Sequence, residues 1–284
     1  MSIVIDTLSY TATSIIYTYF KSTEKQIKLD GTGFFYHILG QPVNDGPFSP
    51  IEETYLITNR HLFFAALEDD EIFTHKLVFG LKLMSNDKVT TVWDYIELSK
   101  NDLIARTKVE KNPEIDVAAI RVGDLIMQKY LQKPPKNYVA FSSVTNTHFP
   151  KHENGKFFVE VGDDVIIIGY PYGYYDSVNL YPIVKSGMIS TSLYKNFEGQ
   201  PCFLIDARLF RGSSGSLVIS KPQMFRISNG EIKYAKVKQF DFLGVFSGEL
   251  YKKHEGKTYT LNVGKVWKWY VSDFIIKNGV SFEV

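Results

Sequence analysis

Short apolar or alternating segments recur along this chain, and each is bounded by Gly, Pro, Asn or Asp. Alternation with a period of two, interrupted by turn-favouring residues, is typical of half-buried β-strands, and many such strands indicate an all-β barrel or sandwich. The high content of Phe and Tyr, 21 and 18 residues, also favours pleated surfaces over helices. The predicted strands, roughly six on each side of a middle segment, are Tyr10–Phe20, Gly33–His37, Thr54–Thr58, His75–Leu83, Thr90–Leu98 and Val117–Val122, then Asp164–Ile168, Ile183–Ser190, Cys202–Asp206, Ser216–Ile219, Phe242–Ser247 and Lys257–Leu261.

The middle segment, Asp124–Asn137, divides the chain into two parts. It begins with a helix-like pattern and then reaches Pro134 and Pro135, which together continue neither a helix nor a central strand. We therefore expect an N-terminal domain over residues 1–135 and a C-terminal domain over residues 136–284. Apolar residues within Gly264–Asn278 recur at helical spacing, so we expect a terminal amphipathic helix that lies against the second domain.

Charge and cysteine content restrict the partners and the compartment. The net charge of +1 gives no overall attraction to nucleic acid or to an anionic membrane, so neither is expected as a partner. Cys202 is the only cysteine and has no partner for an internal disulfide, which favours a reducing compartment. The N-terminus lacks the features of a signal peptide, and no apolar run reaches the roughly 18 residues of a membrane span. The sequence therefore favours a cytoplasmic location.

A serine in a glycine-rich turn is the first candidate for chemistry. Gly212-Ser213-Ser214-Gly215 is followed directly by an apolar strand, and a turn of this kind exposes one hydroxyl, that of Ser214. The glycine two positions earlier permits a strained turn that directs its N–H, with the N–H of Ser214, at one point. Two such donors would form an oxyanion hole, although a plain Gly/Ser-rich hairpin explains the same residues when they are considered alone.

A histidine and an aspartate lie at the ends of two other predicted strands. The run Thr58-Asn59-Arg60-His61 places an imidazole at a strand terminus, and Asp116 immediately precedes the apolar run from Val117. Taken separately, a histidine there is usually structural and an aspartate there is usually a strand-end cap. Taken together, the order His61, Asp116, Ser214 is that of one class of serine hydrolases. The α/β-hydrolase order would need a histidine after the serine, and only His254, in a polar run, follows it.

These segments resemble the trypsin-like (chymotrypsin-fold) serine peptidase family, and most nearly its bacterial HtrA/Deg-type members. The similarity also includes Gly169-Tyr170-Pro171 and Ser186-Gly187-Met188-Ile189-Ser190. The resemblance implies two perpendicular six-stranded β-barrels with the site in the cleft between them. It implies a triad of Ser214 as nucleophile, His61 as general base and Asp116 as its orienting carboxylate, with no metal and no cofactor.

The resemblance also suggests where a substrate binds. Arg208 would lie near the base of the primary pocket, where it would favour an acidic substrate side chain unless it points to solvent or pairs with Asp206. Phe246, Ser247 and Gly248 would form the wall of the pocket and pair with the substrate backbone. The segments Glu68–Asn101 and Pro222–Lys238 are long for simple hairpin connections and would serve as partner or substrate loops.

One residue departs from the family pattern, since Ser216 occupies the position after Ser-Gly where another glycine is usual. Serine is small, so we expect the turn to survive. The function that follows is a serine endopeptidase that cleaves polypeptides through an acyl-enzyme. Two alternatives remain open: a catalytically silent peptide-binding module of the same fold, and an effector protease activated by a regulatory protein partner within a bacterial assembly.

Overall fold

The computed structural model describes residues 8, 12–21, 26–42, 49–67, 70–85, 88–131, 137–140, 142–153, 156–228 and 231–282. Most of these residues lie in strands. The strands are β1 (Thr13–Lys21), β2 (Gln26–Leu39), β3 (Ile51–Thr58), β4 (Phe64–Leu67), β5 (Asp70–Phe73), β6 (Lys76–Ser85), β7 (Lys88–Ser99), β8 (Thr107–Val109), β9 (Ala118–Arg121), β10 (Asn137–Ala140), β11 (His152–Glu153), β12 (Lys156–Phe157), β13 (Asp164–Gly169), β14 (Ile183–Ile189), β15 (Cys202–Asp206), β16 (Leu217–Ser220), β17 (Gln223–Ser228), β18 (Glu231–Gln239), β19 (Phe242–His254), β20 (Lys257–Lys268) and β21 (Val280–Ser281). The α-helices are α1 (Lys100–Arg106), α2 (Gly123–Leu131) and α3 (Trp269–Asn278).

The C-terminal half forms a closed six-stranded barrel in the order β13-β14-β15-β20-β19-β16. All its pairs are antiparallel. Fully buried side chains on its strands include Phe203, Val218, Val245 and Trp267. The predicted all-β class is confirmed, and so is the closed barrel expected in this half.

The N-terminal half forms a nine-stranded sheet with the order β10-β6-β1-β2-β3-β9-β8-β21, and β7 pairs with the outer side of β6. It therefore has more strands than the six that we expected. The short strands β8, β10 and β21 account for the whole difference, because segments of two to four residues carry too little alternation to be recognised in a sequence.

Two strands do not respect the expected domain boundary at residue 135. β10 and β21 both come from the second part of the sequence, yet each pairs within the N-terminal sheet. The expected boundary residues Pro134 and Pro135 lie outside the described residues. The helix-like start of the middle segment is present as α2.

Strand β2 holds the two halves together because its side chains alternate between two cores. Phe35, on one face, packs in the core of the N-terminal sheet. Phe34 and Tyr36, on the other face, join the core of the C-terminal barrel, where their rings lie 5.4 and 6.3 Å from the ring of Phe242. This shared core fixes the relative position of the residues that each half contributes to the site.

The terminal helix is shorter than the sequence pattern predicted. Residues 264–268 belong to β20, where Val266 and Trp267 are fully buried on opposite faces of the strand, and α3 begins only at Trp269. The helix buries Val271 and Ile275. The prediction was wrong for the first turn because buried positions in a strand followed by a helix imitate helical spacing.

The two segments expected to be long connections are largely strands. Pro222–Lys238 contains most of a separate two-stranded ribbon of β17 and β18, and Glu68–Asn101 contains the hairpin of β6 and β7. Their expected role as partner or substrate loops stays a prediction. In the described part of the chain, every helix is too short or too polar to cross a bilayer.

Candidate active site

His61 reaches the cleft because the chain turns sharply at the end of β3. A short 3₁₀ turn, Arg60–Phe63, buries Leu62 and Phe63 and leaves His61 facing outward, with its side chain 48% exposed. The preceding Asn59 donates from its amide to the carbonyl of Asp116 at 2.6 Å. The buried neighbours and this hydrogen bond hold the histidine in place.

Asp116 is brought to His61 by strand register. β9 pairs with β3 so that Ala118 lies opposite Thr58, and the residues just beyond that pair therefore become neighbours. Asp116 Oδ1 accepts the main-chain N–H of His61 at 2.8 Å, and Oδ2 lies 2.7 Å from Nδ1 of the ring. Because an ionised carboxylate can only accept, Nδ1 carries the proton in this contact and Nε2 is left as an acceptor.

Ser214 lies in a tight turn that ends at β16. Its Oγ is 3.1 Å from Nε2 of His61, so the three predicted triad residues form one continuous hydrogen-bonded chain. The flanking glycines adopt left-handed φ values, +87° at Gly212 and +84° at Gly215. A side chain at Gly215 would lie 2.0 Å from the carbonyl oxygen of Thr32, so only glycine fits there.

Thr32, in β2, anchors the nucleophile turn to the N-terminal half. Its N–H donates to the carbonyl of Ser214 at 2.9 Å, and its hydroxyl donates to the carbonyl of Gly212 at 2.8 Å. Its own carbonyl accepts the hydroxyl of Thr58 at 2.7 Å. Sequence reasoning gave this residue no role, since a threonine in an apolar strand carries no signal of its partner across the cleft.

The main-chain N–H groups of Gly212 and Ser214 donate to no other atom among the described residues, whereas those of Ser213 and Gly215 are both hydrogen-bonded. The carbonyl of Arg211 accepts the N–H of Tyr172 at 2.6 Å. Carbonyl and N–H point in opposite directions across a trans peptide. This bond therefore turns the N–H of Gly212 away from Tyr172.

Ser247 makes a contact with the triad that we did not expect, and its expected role in binding substrate stays a prediction. Its hydroxyl donates to Oδ2 of Asp116 at 2.6 Å, and its carbonyl oxygen lies 3.3 Å from Ser214 Oγ, where it is a second acceptor for the hydroxyl proton that Nε2 of His61 also faces. Ser247, in β19 of the barrel, therefore helps to hold the Asp116 carboxylate in place. The contact depends on how β19 is placed against the N-terminal half, which the sequence does not show.

The other residues expected to bind substrate divide into buried and open positions. Phe246 is 2% exposed, and its main chain is used within the barrel, where its N–H donates to Ser216 and its carbonyl accepts from Gly215. The prediction that Phe246 pairs with a substrate backbone is therefore wrong. Gly248 is open, because a side chain at this position would meet nothing within 4 Å.

Arg208 is exposed and its guanidinium carbon lies 5.6 Å from the centre of the Phe210 ring. Across the described part of the chain it forms no ion pair with Asp206. Its carbonyl accepts a hydrogen bond from the ammonium of Lys185. Pairing with Asp206 is not observed among the described residues, and the exposed guanidinium is open either to solvent or to a substrate side chain, so its place near the primary pocket stays a prediction.

Glu249 is a residue that sequence reasoning missed. Its Oε1 accepts the N–H of Leu209 at 2.9 Å and its Oε2 accepts the hydroxyl of Thr260 at 3.2 Å. The first bond ties β19 to the segment that leads into the nucleophile turn, and the second joins β19 to β20.

Within the described ranges, no group of three or more His, Cys, Asp or Glu residues is placed to hold a metal ion.

A family model matches this chain, and a solved structure is similar to it. The family model for the trypsin-like peptidase domain matches residues 31–223. Among solved structures, the Rv3671c protease from M. tuberculosis in its active form is similar, with 17% identity over 97% of this chain and 83% of that chain and a TM-score of 0.44. A search of curated proteins found no match. Since the family model covers well over half of the 284 residues, the chain belongs to the trypsin-like peptidase domain family.

Proposed function

We propose that this protein is a serine endopeptidase in which Ser214 attacks the peptide carbonyl. The observation that carries the proposal is the continuous chain from Ser214 Oγ through the His61 ring to Asp116, with contacts of 3.1 and 2.7 Å. A nucleophile within hydrogen-bond reach of a base, and that base oriented by a third group, is the arrangement that activates a hydroxyl. Family membership supports a peptidase as the general class.

The acylation step follows from the protonation of the imidazole. With Nδ1 bound to Asp116, the Nε2 lone pair of His61 accepts the proton of Ser214 as Oγ bonds to the substrate carbonyl carbon. The electrons of the carbonyl double bond move to oxygen. Collapse of this tetrahedral species breaks the C–N bond, and the nitrogen leaves as an amine with the proton from Nε2. Water then repeats the sequence on the acyl-enzyme and releases the acid.

The charge that develops on the carbonyl oxygen needs fixed donors. The N–H groups of Gly212 and Ser214, which donate to no other described atom, are suited to this role. Donors that are already oriented stabilise the transition state without reorganisation, and each contributes about 3–4 kcal/mol. The bond from Tyr172 to the Arg211 carbonyl supports an orientation that is set before the substrate arrives.

The substrate in this proposal is a polypeptide, with Gly248 beside its backbone and Arg208 near its primary side chain. The exposed guanidinium of Arg208 favours an acidic substrate residue over a basic one. Profiling cleavage in a mixed peptide library measures this directly. A clear preference for Lys or Arg would refute the role given to Arg208 and leave the catalytic proposal intact.

A fluorophosphonate probe tests the catalytic proposal, because it reacts only with an activated serine. We expect the wild-type chain to be labelled at Ser214, as located by peptide mapping, and the Ser214→Ala and His61→Ala variants to lose the label. Ser177→Ala, which alters an exposed serine that is not part of the triad, is the matched control and should label like the wild type. A folded wild-type chain that stays unlabelled would overturn the proposal in favour of a silent peptide-binding module. Labelling only with a second protein would indicate a partner-activated protease.

A further inference from the structure

A two-stranded ribbon leaves the barrel at the end of β16 that is farther along the chain from Ser214. It consists of β17 and β18, residues 223–239, and in the described part of the chain it pairs with no other strand. The pairing is regular over the outer part, from Phe225 opposite Tyr234 to the tip, and irregular next to the base. The ribbon is therefore a surface feature separate from the nucleophile turn.

Large apolar side chains are exposed on this ribbon. Ile232, Tyr234 and Val237 are 55, 79 and 51% exposed, and Phe225 is 45% exposed. Phe225 and Tyr234 lie opposite each other with their ring centres 6.4 Å apart. Ile232 precedes Tyr234 by two residues in β18 and so shares the face of this aromatic pair. Apolar groups that cluster on a surface in this way are a sign of an interaction site.

Positive charge is concentrated on the same ribbon. Residues 223–239 contain one acid, Glu231, and four cations, Arg226, Lys233, Lys236 and Lys238. Since the whole chain has a net charge of only +1, the other residues together carry a net charge of −2. The low overall charge that argues against an anionic partner therefore does not describe this surface. Alternation along β18 places Glu231 on the face opposite the aromatic pair.

A cavity of about 230 Å³ adjoins the base of the ribbon. Two of the residues that line it are Lys238 of the ribbon and Lys151 of the segment before β11, and both are exposed. The cavity also has one acid, Asp241, but this residue is only 2% exposed and takes part in other contacts. The two ammonium groups therefore offer a place for an anion of the size of a phosphate.

We propose that the β17–β18 ribbon and the adjoining cavity bind the surface of an anionic phospholipid bilayer. The apolar side chains enter the boundary between headgroups and acyl chains, the lysines lie at the level of the lipid phosphates, and one phosphate occupies the cavity. Ile232 favours a lipid over a nucleic acid, because single-stranded nucleic acids are bound by cations and planar rings, whereas acyl chains also accept aliphatic groups. Lipid binding of this kind does not depend on the peptidase function.

Binding is measured by co-sedimentation of the full chain with two kinds of vesicle. One consists of phosphatidylcholine alone, and the other contains about 30 mol% of the anionic lipid phosphatidylserine. We expect the anionic vesicles to bind the chain about tenfold or more tightly than the neutral ones. Raising the salt from about 0.1 M to about 1 M should weaken this binding, because the Debye length falls from about 10 Å to about 3 Å.

The contribution of the lysines is tested by a charge-matched pair of variants. Lys151→Gln, Lys236→Gln and Lys238→Gln together should lower binding to anionic vesicles about 100-fold, since each lysine near such a surface contributes roughly fivefold. The control replaces three other exposed lysines by glutamine, Lys195, Lys252 and Lys257. It should change the affinity less than about twofold, because charges farther from the bilayer than a Debye length are screened.

The contribution of the apolar face is tested in the same way. Ile232→Ser combined with Tyr234→Ser should lower binding about tenfold or more. Tyr251→Ser combined with Leu261→Ser, which removes exposed apolar groups from β19 and β20 instead, should leave binding unchanged. Thermal unfolding followed by circular dichroism checks that each variant is folded. Insertion is read separately, since the fluorescence of Ile232→Trp should be quenched by bilayers with brominated acyl chains and that of Tyr251→Trp should not.

Absence of binding to anionic vesicles, or equal binding to neutral ones, would overturn the proposal. Equal losses in the ribbon variants and their controls would also overturn it, as would an Ile232→Trp variant that brominated lipids do not quench. A short fluorescein-labelled oligonucleotide is the competing probe. If it binds through Lys151, Lys236 and Lys238 while the vesicles do not bind, the partner is a nucleic acid and the lipid proposal is wrong.

Discussion

Replacement of Gly212 by alanine tests whether the backbone at the nucleophile turn stabilises the transition state. Gly212 has a φ of +87°, and a methyl group there would lie 2.6 Å from the nitrogen of Tyr172 and 2.7 Å from the carbonyl oxygen of Tyr170. Both neighbours are main-chain atoms, and the Tyr172 nitrogen is itself hydrogen-bonded to Arg211. Neither atom can move without breaking contacts, so the peptide that carries the Gly212 N–H must turn.

Two costs follow from this geometry. The left-handed conformation of a non-glycine residue costs roughly 1–2 kcal/mol of stability, and overlap with fixed atoms adds about 1–3 kcal/mol. Loss of one oxyanion donor should lower kcat by about 10²–10³, or roughly 3–4 kcal/mol, with little change in KM. Catalysis should therefore fall far more than the folded fraction does at room temperature.

The assay is steady-state cleavage of fluorescent casein, with thermal unfolding of each variant followed by circular dichroism. Gly162→Ala is the matched control, because Gly162 also has a positive φ, +97°, but has nothing within 4 Å of the new methyl group. It should lose stability and keep its kcat. A Gly212→Ala variant with wild-type kcat would refute the role of this backbone amide.

Three further changes should have distinct outcomes. Asp116→Asn should lower kcat by about 10⁴, because an amide N–H₂ facing Nδ1 of His61 would favour the wrong tautomer; a near-normal kcat would contradict this. Ser247→Ala removes the 2.6 Å bond to Asp116 and should lower kcat about tenfold or more, since hydrogen bonds to charged groups contribute about 1.5–3 kcal/mol; an unchanged kcat would show that the bond is not needed. Burial lowers the pKa of His37 from 6.5 to about 4, so the neutral ring is favoured in the folded state. The contribution of His37 to the unfolding free energy should be greatest above pH 6.5 and fall by about 3 kcal/mol as the pH drops to 4, measured as the difference between the wild type and His37→Gln in urea unfolding. A His37→Gln variant with the same pH dependence would contradict that assignment.

The sequence predicted the parts of the site that depend on local chemistry. Gly212 and Gly215 indicated a strained turn around Ser214, and the ends of two apolar strands indicated the positions of His61 and Asp116. These features can be predicted because turns and strand ends depend on residue types that lie close together in the sequence. The structure places the three side chains within hydrogen-bond distance of one another.

The parts that were missed depend on which strands become neighbours. Ser247 meets Asp116 across 131 positions of sequence, and Thr32 meets Gly212 across 180. A serine or threonine in the sequence does not indicate which distant residue accepts its hydrogen bond, so such pairs become known only when the strand register is known. Phe246 was misassigned for the same reason, because its main chain is already paired with the nucleophile turn.

The most direct test of the proposed peptidase mechanism is the rate of casein cleavage by the wild-type chain and by Ser214→Ala, with Ser177→Ala as control. We expect Ser214→Ala to lower kcat/KM by about 10⁴–10⁶, whereas Ser177→Ala should cleave like the wild type. A Ser214→Ala variant that cleaves casein at the wild-type rate would contradict it.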